Sequence, residues 1–146
     1  MTEPKETRIW LCDLTYTQQT ISSDIMPAAV GHIAAYTKEY ITSNTEISIF
    51  KFPEKLCEAL ETRLPPQVIG FSNYIWNKNL CYSFAQLIKK KLPETVIVFG
   101  GPNYPTSTAE QEKFLRDHAE IDYYIIKEGE IAFAKLVEAL ITIDFD

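Results

Sequence analysis

Four short segments hold the residues whose types and spacing could bind a ligand or support chemistry. Asp13-Leu14-Thr15-Tyr16-Thr17-Gln18 is rich in hydroxyls and amides. Ser72-Asn73-Tyr74-Ile75-Trp76-Asn77 combines small polar groups with two large aromatics. Gly100-Gly101-Pro102-Asn103-Tyr104 offers open backbone, and Lys127-Glu128-Gly129-Glu130 offers backbone flanked by charge. Together they supply neutral hydrogen-bonding groups and little positive charge. That inventory suits a large, mostly neutral, planar or amide-rich ligand better than a triphosphate. Each segment also has a plain structural use. Gly100-Gly101 can be a tight turn, Trp76 a satisfied core aromatic, Asp13 a helix cap, and Glu130 the start of a helix that its charge complements.

Other chemistries are excluded by what the sequence lacks. It has no GxxxxGK[ST] loop and no GxGxxG after a strand, so the ordinary nucleotide-phosphate cradles are missing. It has no GxSxG elbow. His32 and His118 are its two histidines, and neither is spaced with a nucleophile or an acid as hydrolase chemistry requires. His32 reads as a packing or surface residue, and His118 as a helix-end residue. Cys12, Cys57 and Cys81 form no CxxC or other metal-ligand spacing, which suits reduced, mostly buried thiols. No metal-ligating set is expected.

The elements that must position these segments follow from hydrophobic periodicity. Strands are expected at residues 8–14, 46–52, 68–72, 95–99 and 122–126. Helical stripes fall between them. Met26, Val30, Ile33, Thr37 and Tyr40 form the first, with Ser22, Ser23 and Asp24 as capping candidates before Pro27. Further helices are expected at 54–64, around Leu80 to Leu92, at 108–118 and at 132–141. Strict β-α alternation implies an α/β fold: a flavodoxin-like three-layer α/β/α arrangement with a five-stranded parallel sheet in the order 2-1-3-4-5. Such folds bind ligands outside the carboxyl ends of the strands, and all four segments lie there.

Length and charge narrow the class further. The 146 residues suit a single domain spanning 1–146 with a core at about 7–141. Fourteen Lys and Arg against twenty Asp and Glu give a formal charge of -6, which disfavours nucleic acid as a partner. No apolar run is long enough to span a membrane. The start of the chain, Met1-Thr2-Glu3-Pro4-Lys5-Glu6, is too polar for a signal peptide, so a cytoplasmic location is expected.

Four stretches, taken in order, resemble the N-terminal cobalamin-binding domain of cobalamin-dependent radical S-adenosylmethionine (radical SAM) proteins. They are residues 26–36, beginning Met-Pro-Ala-Ala; residues 69–77, Ile-Gly-Phe-Ser-Asn-Tyr-Ile-Trp-Asn; residues 98–102, Val-Phe-Gly-Gly-Pro; and residues 122–130, which end Lys-Glu-Gly-Glu. The resemblance implies a cobalamin lying over these loops, its nucleotide tail inserted between strands. It implies cofactor contacts from Ser72, Tyr74, Trp76 and Asn77, from Gly100, Gly101 and Pro102, and from Glu128, Gly129 and Glu130. Thr15, Tyr16, Thr17 and Gln18 would lie below the corrin. Gly101→Val is then expected to weaken cobalamin binding while the domain stays folded.

The chain departs from the family in three places. Lys127 stands where the family's Gly-Glu-Gly-Glu run begins with glycine. The Asp-x-His-x-x-Gly motif of other cobalamin domains is missing, so no lower axial protein ligand to cobalt is expected. No CxxxCxxC motif is present, so S-adenosylmethionine and a 4Fe-4S cluster would belong to a radical SAM barrel domain that this sequence does not contain. The sequence therefore reads as an excised binding domain, itself without catalytic residues, whose partners are cobalamin and that barrel. The parent enzyme would carry out methyl transfer or a radical rearrangement. Two other readings stay open on the residues alone: a degenerate scaffold that no longer binds, and a flavodoxin-like module for another planar cofactor.

Overall fold

The computed structural model describes residues 5–17 and 25–143. Ten elements alternate along them: β1 (Thr7–Cys12), α1 (Ala28–Tyr40), β2 (Thr45–Phe50), α2 (Pro53–Thr62), β3 (Val68–Ser72), α3 (Lys78–Lys91), β4 (Val96–Gly100), α4 (Thr108–Asp117), β5 (Tyr123–Ile125) and α5 (Glu130–Thr142). All neighbouring strands pair in parallel, in the order β2-β1-β3-β4-β5. The expected fold class and strand order are those observed. β3 matches its expected bounds, and the other elements differ from theirs by one to a few residues at their ends.

Apolar runs with period two make the central strands two-faced. Ile9, Leu11, Val68 and Val98 face α1 and α5, where Val30, Phe133 and Val137 meet them. Trp10, Cys12, Ile69, Phe71, Ile97 and Phe99 face the opposite layer and pack against Leu56, Phe84, Ala85 and Ile88. The alternating strand β2 sits at the sheet edge, as its polar partners suggest. Its Glu46 and Ser48 bind the guanidinium of Arg63, which also lies 5.6 Å from the Trp10 ring.

Several local expectations are corrected. Met26 is exposed and precedes α1, whose buried residues are Val30 and Thr37. Pro27 occupies the N-cap position of α1 without a side-chain cap, and the capping candidates Ser22, Ser23 and Asp24 lie outside the described residues. Strand β5 is only three residues long: Asp122 N still donates to Ile97 O, but the Asp122 side chain, not its backbone carbonyl, takes the return bond. Its carboxylate accepts bonds from Ile97 N and Lys89 Nζ. Cys12 and Cys81 are buried, but Cys57 is exposed.

Burial raises the Cys12 thiol pKa well above its usual range and lifts that of Cys81 to about 12; the nearby Asp13 carboxylate adds to both. The folded chain thus keeps these protons at pH values where an unfolded cysteine, with a pKa near 8.5, loses them. The thiols' contribution to stability is complete below that pH. It falls as pH rises past it, by up to about 1.4 kcal/mol per pH unit per thiol. Urea denaturation from pH 7 to pH 10 is expected to show that decline, with a shallower slope in Cys81→Ala. A flat profile would mean that the thiols ionise alike in both states.

Candidate functional site

The face of the sheet under α1 and α5 is filled at one end and hollow at the other. Period-two alternation directs Val68, Gly70 and Ser72 of β3, and Val96, Val98 and Gly100 of β4, toward these two helices. Val68 and Val96 fill the space near the amino ends of the strands. Toward the carboxyl ends, Gly70 and Gly100 contribute no side chain. A cleft of about 370 Å³ results. Its floor is Leu11, Gly70, Ser72, Val98 and Gly100, and its walls are Ala29, Val30 and Ile33 of α1 and Phe133 of α5. Phe71, Phe99, Tyr74, Gly101, Pro102, Ile125 and residues Lys127 to Glu130 complete the lining.

Two buried asparagines hold the loops around this cleft. Asn73 is fully buried, and its amide donates to the carbonyl of Asn103 at 2.9 Å and to the hydroxyls of Tyr124 and Tyr82 at 3.3 and 3.4 Å. Its own carbonyl oxygen accepts from the Asn103 amide. Its backbone N–H donates to the carbonyl of Gly100 at 2.6 Å, and its backbone carbonyl accepts from Asn103 N. Asn77, also fully buried, accepts from Tyr74 N and donates to Leu14 O and Ser72 Oγ. Ser72 Oγ in turn donates to Asp13 Oδ1 at 2.6 Å. The loops after β1, β3 and β4 are thereby tied into one unit. Tyr124 adds a bond to Gly101 O, and burial raises its phenol pKa, keeping it a donor.

The cleft brings together Ser72, Tyr74, Gly100, Gly101, Pro102, Glu128, Gly129 and Glu130 among the expected site residues. Asn77 does not line it; its amide is spent on the loops. Trp76 is 62% exposed and stacks on Tyr74 with ring centroids 4.4 Å apart, so it is not a core aromatic. Thr15, Tyr16 and Thr17 lie at the end of β1 outside the cleft lining. Thr17 donates to Glu54 at 2.6 Å, which lowers that carboxyl's pKa. Gln18 lies outside the described residues. His32 is exposed on α1. His118 packs against Tyr82 and Phe114 and pairs with Glu120. Neither imidazole lines the cleft.

Sequence reasoning missed the apolar half of the site, including Ala29, Val30, Ile33 and Phe133. It also missed Gly70, although a lone glycine inside an apolar strand signals close approach by another group. Gly129 starts α5 as its N-cap and Glu130 is the first helical residue, the role foreseen for its charge. Lys127 adopts φ 66°, the left-handed conformation that glycine enters most cheaply, so the lysine substitution leaves a glycine-like backbone in place. Among the described residues no cluster of metal-ligating side chains occurs, and no helix is long and apolar enough to cross a membrane.

A parallel α/β sheet hollowed by glycines at its carboxyl edge defines a ligand-binding module of the flavodoxin-like class. Residues 17–137 match the B12 binding domain family, and the chain belongs to it. It is 33% identical over 72 residues to the cobalamin-dependent radical SAM methyltransferase TokK of Streptomyces tokunonensis. It is equally similar, over a stretch of the same length, to the 2-(S-pantetheinyl)-carbapenam-3-carboxylate methyltransferase of Streptantibioticus cattleyicolor. Each match covers 49% of this chain and 10% of the relative.

Proposed function

We propose that this domain binds cobalamin with the nucleotide tail in the cleft beneath α1 and α5 and the corrin over the loops that follow the strands. One observation carries the reading: Gly100 at the end of β4 leaves open space on the face that Val68 and Val96 fill lower down, while the space over Gly70 is taken by Leu11 and Phe133, which line the cleft. At about 370 Å³ the hollow falls within the size range of small-molecule sites, about 300–1,000 Å³, and is far too small for a whole corrinoid. Its apolar walls suit a benzimidazole, and its polar rim suits the ribose and amide groups that would remain near the surface. Tyr74 and Trp76, stacked at the loop tip, offer a flat apolar surface to the corrin or to a neighbouring domain. Thr15, Tyr16 and Thr17 follow β1 with hydroxyls and no imidazole, which supports a cobalt without a protein nitrogen ligand from this loop.

In this reading the domain serves a cobalamin-dependent radical SAM methyltransferase. The barrel domain of that enzyme would hold S-adenosylmethionine and the 4Fe-4S cluster. Bound cobalamin would supply the methyl group that such an enzyme transfers. The chain's own residues bind and orient the cofactor and shield its tail from water.

Mixing the domain with hydroxocobalamin, desalting, and recording the visible spectrum tests the proposal. Corrinoid bands are expected to stay with the protein. Loss of the bands would favour a non-binding scaffold, and a yellow protein as purified would favour a flavin module. Gly100→Leu sharpens the test. A Cβ at Gly100 meets only the Ile125 carbonyl, at an ordinary 3.6 Å, while the longer side chain fills the cleft. Affinity is expected to fall at least about a hundredfold, near 2.7 kcal/mol, with the circular dichroism spectrum unchanged. Undiminished affinity in a folded Gly100→Leu domain would move the tail out of this cleft.

A further inference from the structure

Lys127 breaks a local rule at the lip of the cleft. It holds φ 66°, a conformation that costs a non-glycine residue about 1–3 kcal/mol, and it does so beside a candidate binding site. Among the described residues it is the sole cationic side chain lining the cleft, where the other charges are Glu128 and Glu130. It forms no salt bridge with either acid, nor with any other described residue. A glycine would remove the strain, so the lysine sits here against the backbone's preference. What it adds over glycine is an ammonium at the mouth of a cleft otherwise lined by apolar and acidic groups.

Resting on the cobalamin reading, we propose that Lys127 recognises the phosphodiester of the nucleotide tail and makes the site selective for corrinoids that carry that tail. The chemistry of the cofactor leaves one candidate partner. The side chains around a cobalamin corrin end in neutral amides, and its fixed anion is the phosphodiester between corrin and ribose. With the base inside the cleft, that group would lie toward the mouth, and Lys127 is the cation that could hold it there. An ammonium beside a phosphate at a partly desolvated lip offsets the repulsion that Glu128 and Glu130 exert on an anion.

The experiment compares hydroxocobalamin with dicyanocobinamide, which lacks the nucleotide and its phosphate. Wild type, Lys127→Gln, Lys127→Gly and Lys127→Arg are titrated at low and high salt. Both neutral variants are expected to lose about tenfold in cobalamin affinity and nothing in cobinamide affinity. Lys127→Arg is expected to keep most of the affinity, and the difference between wild type and Lys127→Gln to shrink with salt. Lys127→Gly separates charge from backbone, since it relieves the strain yet lacks the ammonium. Equal cobalamin binding by wild type and Lys127→Gln overturns the inference and leaves the cobalamin reading standing, as does an equal loss for both corrinoids. A wild-type domain that binds neither corrinoid overturns both.

Discussion

Gly101→Val is expected to lower the stability of the domain by about 3 kcal/mol, and Gly101→Ala by nearly as much. Gly101 holds φ 121°, where side chains are rarely accommodated. A Cβ there would lie 2.7 Å from the carbonyl oxygen of Asn73 and 3.0 Å from its nitrogen. Both atoms are backbone, and both are fixed by hydrogen bonds to Gly100 and Asn103. Neither can rotate aside as the end of a side chain could. For a domain of this size the loss corresponds to a fall in Tm of roughly 10 °C. The sequence alone suggests that valine here blocks a ligand and spares the fold; the geometry puts the conflict inside the chain. A Gly101→Val domain melting with wild type would show that this turn can relax without cost.

Asn73→Ala is expected to cost about 3 kcal/mol and to weaken cofactor binding with it. The Asn73 side chain joins the loops after β3 and β4 to the hydroxyls of Tyr82 and Tyr124. Alanine leaves the half-buried Asn103 backbone carbonyl and side-chain amide without that partner. Buried polar groups stripped of one partner lose more than the bond was worth, because the remaining group stays desolvated. Urea denaturation would report the first effect and hydroxocobalamin titration the second. Full stability in Asn73→Ala would show that water replaces the amide.

The architecture was legible because the strand signals were unambiguous. Val68 to Ser72 and Val96 to Gly100 are short apolar runs closed by small residues, and a parallel strand buried on both faces requires that pattern. Ends were less legible where tertiary contacts decide them. Asp122 reads as the first residue of a strand, but its carboxylate is taken by Ile97 and Lys89. The site was legible at its rim and obscure in its interior. Ser72, Tyr74, Gly100 and Glu128 sit at strand ends, where loop chemistry shows in the residue types. Val30, Ile33 and Phe133 look like any core residues, and only their placement across from strand glycines makes them walls of a cleft. Asn77 shows the limit of reading a role from residue type, since it does not line the cleft. Its type suggests a ligand contact, yet a buried loop needed its amide.

The two walls of the cleft come from helices far apart in the chain. Between α1 and α5 lie four strands and three helices, so nearly the whole sheet is laid down before its two covering helices can meet. On the ribosome the hollow therefore does not exist until residues around Phe133 have emerged. Any ligand of this cleft has to await the pairing of α1 with α5. A ligand held between the two walls would also clasp early and late segments together, so that its release precedes or accompanies the opening of the entire α1–α5 layer.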